Sequence, residues 1–385
     1  MYYYGRAVLT PRHFLCLILA SATLSTTATA AKAPVRYNLT AISEEIDRQC
    51  AGGTFSGVIV VRARGEDIFE RACGMADMVN GIANSRDTRF KIYSTSKFIT
   101  SLAVMRLVEQ GQLSLDQPVS TYVRDLPSEW SKVTIRHLLN HSSGIPDLTE
   151  KLGERFTFDH PTAMRKLFAE LSSEDRTLKS APGTTFTYNN FGFELLAEVA
   201  ANSSGMTFAD VVMQQIFVPA GMTHASIESP NIIMGHPQSV NEPGLAFGYN
   251  GAPGKLEQAT NYAFIQLGAG AVRATVDDFI ALDAAIAAGK IISHRSLDEM
   301  TRIPADRQES GLKFGLGVFV NEAAGIKMHG HTGGTNGYIS DFERYPADDA
   351  MLIALTNRGF VKTRWIREAV AKMLDEARRV TSGGT

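Results

Sequence analysis

Apolar positions along this chain recur with two periods, and each period keeps to its own stretches. Gly57 to Val61 and Asp67 to Gly74 are rich in β-branched and alternating apolar residues. With Ala63-Arg64-Gly65-Glu66 between them, they predict an antiparallel hairpin. Leu316 to Val320, Ile326 to His331, Tyr338 to Glu343 and Ala350 to Thr356 predict a second group of short strands. Helical spacing frames both groups. Ile42 to Cys50 precedes the hairpin, and Trp365, Ile366, Ala369, Val370, Met373, Leu374 and Ala377 make one apolar face after the last strand. The simplest assembly is a single antiparallel sheet built from both chain ends and covered by the terminal helices.

The long middle of the chain reads as helix and loop. Leu102, Met105 and Val108 give Phe98 to Gln110 a helical period that stops at Gly111, and Leu195 to Asn202 closes a second helix before Ser204-Gly205. Pro182-Gly183, Pro219 to Gly221, Pro230, Pro243-Gly244 and Pro253-Gly254 punctuate the rest. The expected organisation is a discontinuous α/β lobe, 34–93 with 311–385, around a mainly helical lobe, 94–310, with chemistry in the cleft between them.

Residues 1–33 follow other rules. Arg6, Arg12 and His13 precede the apolar run Phe14 to Ala22, and small residues lead to Ala31-Lys32-Ala33, the pattern of a secretory signal peptide. The apolar run is too short to cross a bilayer as a helix, which takes about 20 residues. A secreted protein, in the periplasm, with no stable membrane span is the expectation.

Charge narrows the function. Lys and Arg number 38 against 40 Asp and Glu in 385 residues, so there is no cationic excess to follow a phosphate backbone, and nucleic acid is not an expected partner. Of three cysteines, Cys16 lies in the leader. Cys50 and Cys73 remain, either as a disulfide or as two part-buried thiols. His137 with His141, and His329 with His331, lack a carboxylate at ligand spacing, so no metal site is expected.

Three short motifs carry chemistry. In Ser94-Thr95-Ser96-Lys97, a helix opening at Ser94 places a hydroxyl and an amine on one side of its first turn. Burial and the positive helix end would help Lys97 shed its proton and take that of Ser94. Tyr188-Asn189-Asn190 sets a phenol and an amide on a turn before a helix, Tyr188 to relay a proton and Asn190 to orient Lys97 or bind substrate. His331-Thr332-Gly333-Gly334 offers glycines that admit a substrate backbone beside an edge strand. An amide near Gly334 would join that of Ser94 to hold an oxyanion, with His331 lining the pocket.

In this order and spacing the three motifs resemble the penicillin-recognising serine hydrolase superfamily. Gly111 to Val119, Ile135 to Ile145, Phe217 to Met222 and Gly268 to Asp278 are similar to its class C beta-lactamase-like branch, and the likeness spans about 40–375. It implies an α+β fold, a five-stranded antiparallel sheet flanked by terminal helices beside a mainly helical part. It also implies an acyl-enzyme on Ser94 with Lys97 and Tyr188 moving protons, and Asn190, His331, Thr332, Gly333 and Gly334 binding substrate. No cofactor is required, and His137 and His141 become local hydrogen-bonding residues.

The resemblance spans D-alanyl-D-alanine carboxypeptidases, D-amino-acid peptidases, class C beta-lactamases and small-ester hydrolases, with a small molecule or short peptide as partner. His331 stands where beta-lactamases carry lysine, which resembles some carboxypeptidases and D-aminopeptidases and points to a peptidase before a beta-lactamase or carboxylesterase. A silent binding protein of the same fold is the non-catalytic alternative. Arg302 and Arg358 are the candidate carboxylate anchors.

Overall fold

The computed structural model describes residues 35–153, 160–228, 232–233, 236–237, 242–259, 266–303, 313–335 and 337–382. The leader at 1–33 lies outside them. A six-stranded sheet organises the rest, made of β1 (Gly57–Ala63), β2 (Glu66–Cys73), β3 (Phe319–Ala323), β4 (Ile326–Thr335), β5 (Tyr338–Tyr345) and β6 (Ala350–Thr356). Its order is β3-β4-β5-β6-β1-β2, every pair antiparallel, with β1 and β6 from opposite chain ends paired from Gly57↔Thr356 to Ala63↔Ala350.

The expected strand count of five is therefore corrected to six. The edge strand β3 also starts later than the apolar pattern places it. Gly317 takes a left-handed φ of 76°, and a turn joins the Gly315 N–H to the Val318 carbonyl at 2.9 Å, so extended pairing begins only at Phe319. Two-residue turns with positive φ, Arg64-Gly65 and Ala324-Gly325, close the β1–β2 and β3–β4 hairpins in the sense that matches strand twist. β3 pairs with Ile326 to Gly330 alone, so among the described residues the edge of β4 from His331 to Thr335 has no strand beside it.

Alternation sends successive side chains to opposite faces. Ile59, Val61, Leu352 and Ala354 face α1 (Thr40–Ala51), and a C-terminal helix Arg364–Ser382 contributes Ile366, Val370, Met373 and Leu374 to the same cluster. Val58, Val60, Phe342, Ile353 and Leu355 face the larger cluster shared with the middle of the chain. At its centre α2 (Ser96–Glu109) is buried nearly all round, from Ser96 to Met105, as expected of an interior helix. Behind α2 lies α3 (Asn190–Ser204), stopped by Gly205 at φ 70°. The C-terminal helix is α4. Among the described residues no helix is long and apolar enough to cross a membrane.

Cys50 at the end of α1 and Cys73 at the end of β2 form a disulfide, which decides between the two states left open above. The bond spans 23 residues of sequence. Closing a loop of that size limits the unfolded chain by about 3 kcal/mol. Replacing both cysteines with serine is expected to lower unfolding free energy by about that amount, read as a reduced urea midpoint. Wild type treated with reductant should fall to the same value, and an unchanged midpoint would show that the bond does not form.

Candidate active site

Ser94 does not open α2. It sits in a 3₁₀ turn, Tyr93–Thr95, that runs into α2 at Ser96, with Tyr93 in the left-handed region at φ 44°. A non-glycine residue in that region signals a turn held by its surroundings. The sheet supplies the hold: Ser340 Oγ on β5 donates to the Ile92 carbonyl at 2.7 Å, and Thr95 Oγ1 donates to the His331 carbonyl at 3.3 Å. Gly333 fits against this turn with no room to spare. A Cβ there would lie 2.9 Å from the Ser94 nitrogen and 2.7 Å from Ser340 Oγ, and would run into the Ile92 carbonyl. The bare glycine keeps the Ser94 amide open to a ligand.

Lys97 is fully buried in the first turn of α2. Its Nζ lies 3.1 Å from Ser94 Oγ and donates to Asn190 Oδ1 at 2.8 Å and to the Ala269 carbonyl at 3.0 Å. That carbonyl reaches the amine because Gly268 lies directly on α3, where any Cβ would collide with the Phe193 carbonyl. Ala269 is fixed from the other side, its N–H donating to Glu194 Oε1 at 3.0 Å. Loss of water pushes the ammonium down to about 7, although the Glu194 and Asp147 charges oppose that fall.

Tyr188 also bonds the Ser94 hydroxyl, and burial pushes its phenol up to about 12 against that bond. At pH 7 about one Tyr188 in 10⁵ is ionised whereas Lys97 is about half neutral, so of the two the amine can take a proton and the phenol can give one. Asn189, not Asn190, caps α3, its Oδ1 accepting from the Gly192 N–H at 2.8 Å. This leaves the Asn190 side chain free to turn to Lys97.

His141 holds the Tyr188 turn. Its carbonyl accepts from the Thr187 N–H at 2.8 Å, its Nδ1 accepts from the Asn189 N–H at 3.2 Å, and its ring lies 4.4 Å from that of Tyr188. Burial and the nearby Lys97 keep its imidazole far below the usual range, so it is neutral. The expected local hydrogen-bonding role is correct for His141, but it acts directly beside the phenol. His137 Nδ1 closes a capping box with Thr134 at 3.2 Å.

The third motif divides between the two faces of β4. His331 and Gly333 point toward α2, while Thr332 lines a 290 Å³ cavity with Arg364 and Arg367 of α4, and a Cβ on Gly334 would meet Ile339. The period of two separates the Thr332 side chain from Ser94, so of the expected substrate-binding residues Thr332 faces the other side of the sheet. His331 is buried, and burial followed by the Lys97 charge pushes it down to about 3. Its Nδ1 donates to the Thr332 carbonyl at 2.6 Å. It therefore brings a neutral ring to the site. Asn336 lies outside the described residues.

Neither candidate anchor joins the cluster. Arg302 is exposed and pairs with Glu299 at 2.9 Å, and Arg358 lines a different cavity that includes none of Ser94, Lys97 or Tyr188. Sequence reasoning missed Asp147, whose Oδ2 accepts from the Asn190 N–H at 3.0 Å and whose exposed charge acts on both Lys97 and Tyr188. It also missed a buried group behind the site, His160 with Nε2 2.9 Å from Glu194 and Nδ1 2.7 Å from Glu198. Burial opposes the His160 charge, but the two carboxylates outweigh it and raise the imidazole to about 9. Neither group has a local sequence signature, because the partners come together only when α3 packs. Among the described residues no cluster of three or more His, Cys, Asp or Glu is placed to hold a metal ion.

A nucleophilic hydroxyl beside a dehydrated amine and a protonated phenol, at the edge of an antiparallel sheet, defines a serine hydrolase built without a histidine base. The family model described as Beta-lactamase matches residues 41–372, and the chain belongs to that family. A penicillin-binding protein of Bacillus subtilis (strain 168) is 27% identical over 315 residues, 79% of this chain and 68% of the relative. A D-aminopeptidase of Brucella anthropi is 24% identical over 290 residues, and the chain spans about half of that relative, 73% of this chain against 52% of the other. The solved D-amino acid amidase of Ochrobactrum anthropi SV3 with L-phenylalanine amide superposes with a TM-score of 0.70 at 23% identity, over 89% of this chain and 99% of that one, a likeness of fold.

The lowered Lys97 sets a pH profile. Because the neutral amine is the active form, labelling of Ser94 by a fluorophosphonate should rise about tenfold per unit below pH 7 and level off near pH 8. Lys97→Ala should remove the rise and nearly all labelling while the circular dichroism spectrum is kept. A flat wild-type profile would mean that Lys97 is not the base.

Proposed function

We propose that the protein hydrolyses D-amino-acid amides and short peptides carrying a free amino end, through an acyl-enzyme on Ser94. The observation that carries the reading is the 3.1 Å contact between Ser94 Oγ and the dehydrated Lys97 Nζ. Neutral Lys97 takes the Ser94 proton as Oγ attacks the carbonyl carbon. The Ser94 amide, with an amide of β4, receives the charge that develops on the carbonyl oxygen. Protonated Tyr188 gives its proton to the departing amine and regains one from Lys97, and water then releases the acyl group by the same relay in reverse. Asn190 keeps Lys97 aimed. Gly333 and Gly334 leave the unpaired edge of β4 clear for substrate backbone, with His331 as a neutral wall.

Charge at the site favours this substrate class. The neutral His331 offers no cation for the free carboxylate of a beta-lactam or a D-alanyl-D-alanine terminus, whereas the exposed Asp147 carboxylate, whose charge acts on Lys97 and Tyr188, would attract a substrate ammonium. A D-aminopeptidase among the relatives supports the same direction. The secretory pattern at 1–33 and the Cys50–Cys73 bond together support an oxidising compartment outside the cytoplasm, which for this reading is the periplasm.

Turnover of D-alanine p-nitroanilide, its N-acetyl derivative, D-alanyl-D-alanine and nitrocefin by the purified protein tests the substrate class. The free-amine anilide is expected to have the highest kcat/KM, by about tenfold or more over its acetylated form, and Asp147→Asn should shrink that ratio. Preference for nitrocefin, or for the N-acetyl anilide over its free-amine form, would overturn the reading. Fractionation of expressing cells is expected to place the protein with periplasmic markers and shortened near Ala33; full-length protein in the cytosol would refute export.

A further inference from the structure

A second cavity, about 680 Å³, opens between the C-terminal end of α1, the Gly251-Ala252-Pro253 turn and the start of α4. Trp365, one of its walls, packs against the hydrophobic cluster on the face of the sheet turned away from α2. The cavity is apolar along Trp365, Phe360, Val361 and Pro253, and cationic at Arg48, Arg358 and Lys362; no carboxylate lines it among the described residues. Arg48 is paired with Glu45, which leaves two cations in excess.

Arg358 is the informative residue. It is 8% exposed, yet no carboxylate is paired with it among the described residues. The guanidinium lies 5.3 Å from the Tyr249 ring centre, one NH group reaches the Asn357 carbonyl at 3.5 Å, and Nε is buried with no partner among the described residues. Trp365 Nε1 is a second buried donor in the same condition. A desolvated cation without an anion is costly unless something of opposite charge meets it. Phe360, 69% exposed, and the exposed Lys362 stand at the same opening. An apolar wall beside two uncompensated cations and two free N–H donors is complementary to a molecule with one anionic end and an apolar body.

We propose that this cavity is a ligand site separate from Ser94, taking an organic anion such as an arylalkyl carboxylate or sulfonate. Its charged group lies on Arg358 and Lys362, and its apolar body lies against Trp365 and Phe360. The proposal does not depend on which substrate Ser94 hydrolyses.

The probe is anilinonaphthalene sulfonate, with 4-phenylbutyrate and its neutral counterpart 4-phenylbutanol as competitors. One saturable dye site is expected, persisting when Ser94 has been blocked with a fluorophosphonate. Phenylbutyrate should displace the dye at concentrations about tenfold lower than phenylbutanol. Phe360→Ala and Lys362→Glu lie on the surface and should each weaken the dye about fivefold or more while leaving the rate of Ser94 labelling unchanged; Arg358→Gln should weaken it further. Loss of dye binding on blocking Ser94, equal displacement by acid and alcohol, or unchanged binding in both surface variants would each overturn the proposal.

Discussion

An amine kept out of water is the constraint to which the rest of this structure answers. Lys97 works as a base only if its ammonium is destabilised enough to be neutral near pH 7, yet a buried amine still needs its hydrogen bonds satisfied. The fold meets both demands with neutral acceptors, Ser94 Oγ, Asn190 Oδ1 and the Ala269 carbonyl, in place of a carboxylate that would hold the proton on. Glu194, the nearest buried acid, is drawn instead to the Ala269 N–H and to His160. The cation at His160 offsets the carboxylate behind Lys97, so the pull that Glu194 exerts on the amine is moderated.

Position depends equally on the sheet. The Ser94 turn is fastened to strands from the far end of the chain through Ser340, Thr95 and the close fit at Gly333. Because β5 alternates strictly, the same strand that sends Ser340 and Phe342 toward α2 sends Asp341 and Glu343 the other way, to Arg367 of α4 at 3.2 and 3.0 Å. A slip of one residue would exchange these two sets, burying carboxylates beside Lys97. Register in the outer half of the sheet and proton chemistry in the inner half are therefore one property.

Much of this was legible in the sequence. The hairpin at 57–73, the strands after 326 and the terminal helices follow from period and turn chemistry, since each is set by neighbours in the chain. Ser94, Lys97 and Tyr188 were found as motifs, and the structure brings them together. Less visible was everything that depends on which way a residue faces once its element is placed. The split of Thr332 from His331 and Gly333, the start of α2 after Ser94, and the neutral burial of His331 are of this kind. Asp147 and His160 had no motif, because a carboxylate in a loop and a histidine in a helix look alike whether they face solvent or a distant partner. Arg358 was noticed for its charge, and only the packed structure shows it buried without a paired carboxylate among the described residues.

The pairing of β1 with β6 has a consequence for the order in which the molecule comes into being. The N-terminal hairpin can pair as soon as its own residues are made, because its contacts are local. The central strand position beside β1 stays empty until Ala350 to Thr356 is synthesised, close to the other end of the sequence. Until then the turn carrying Ser94 has no sheet to be fastened to, and the apolar inner face of the hairpin is open to solvent. The nucleophile is therefore assembled only after residue 356 has been made, and an exposed strand edge persists until then.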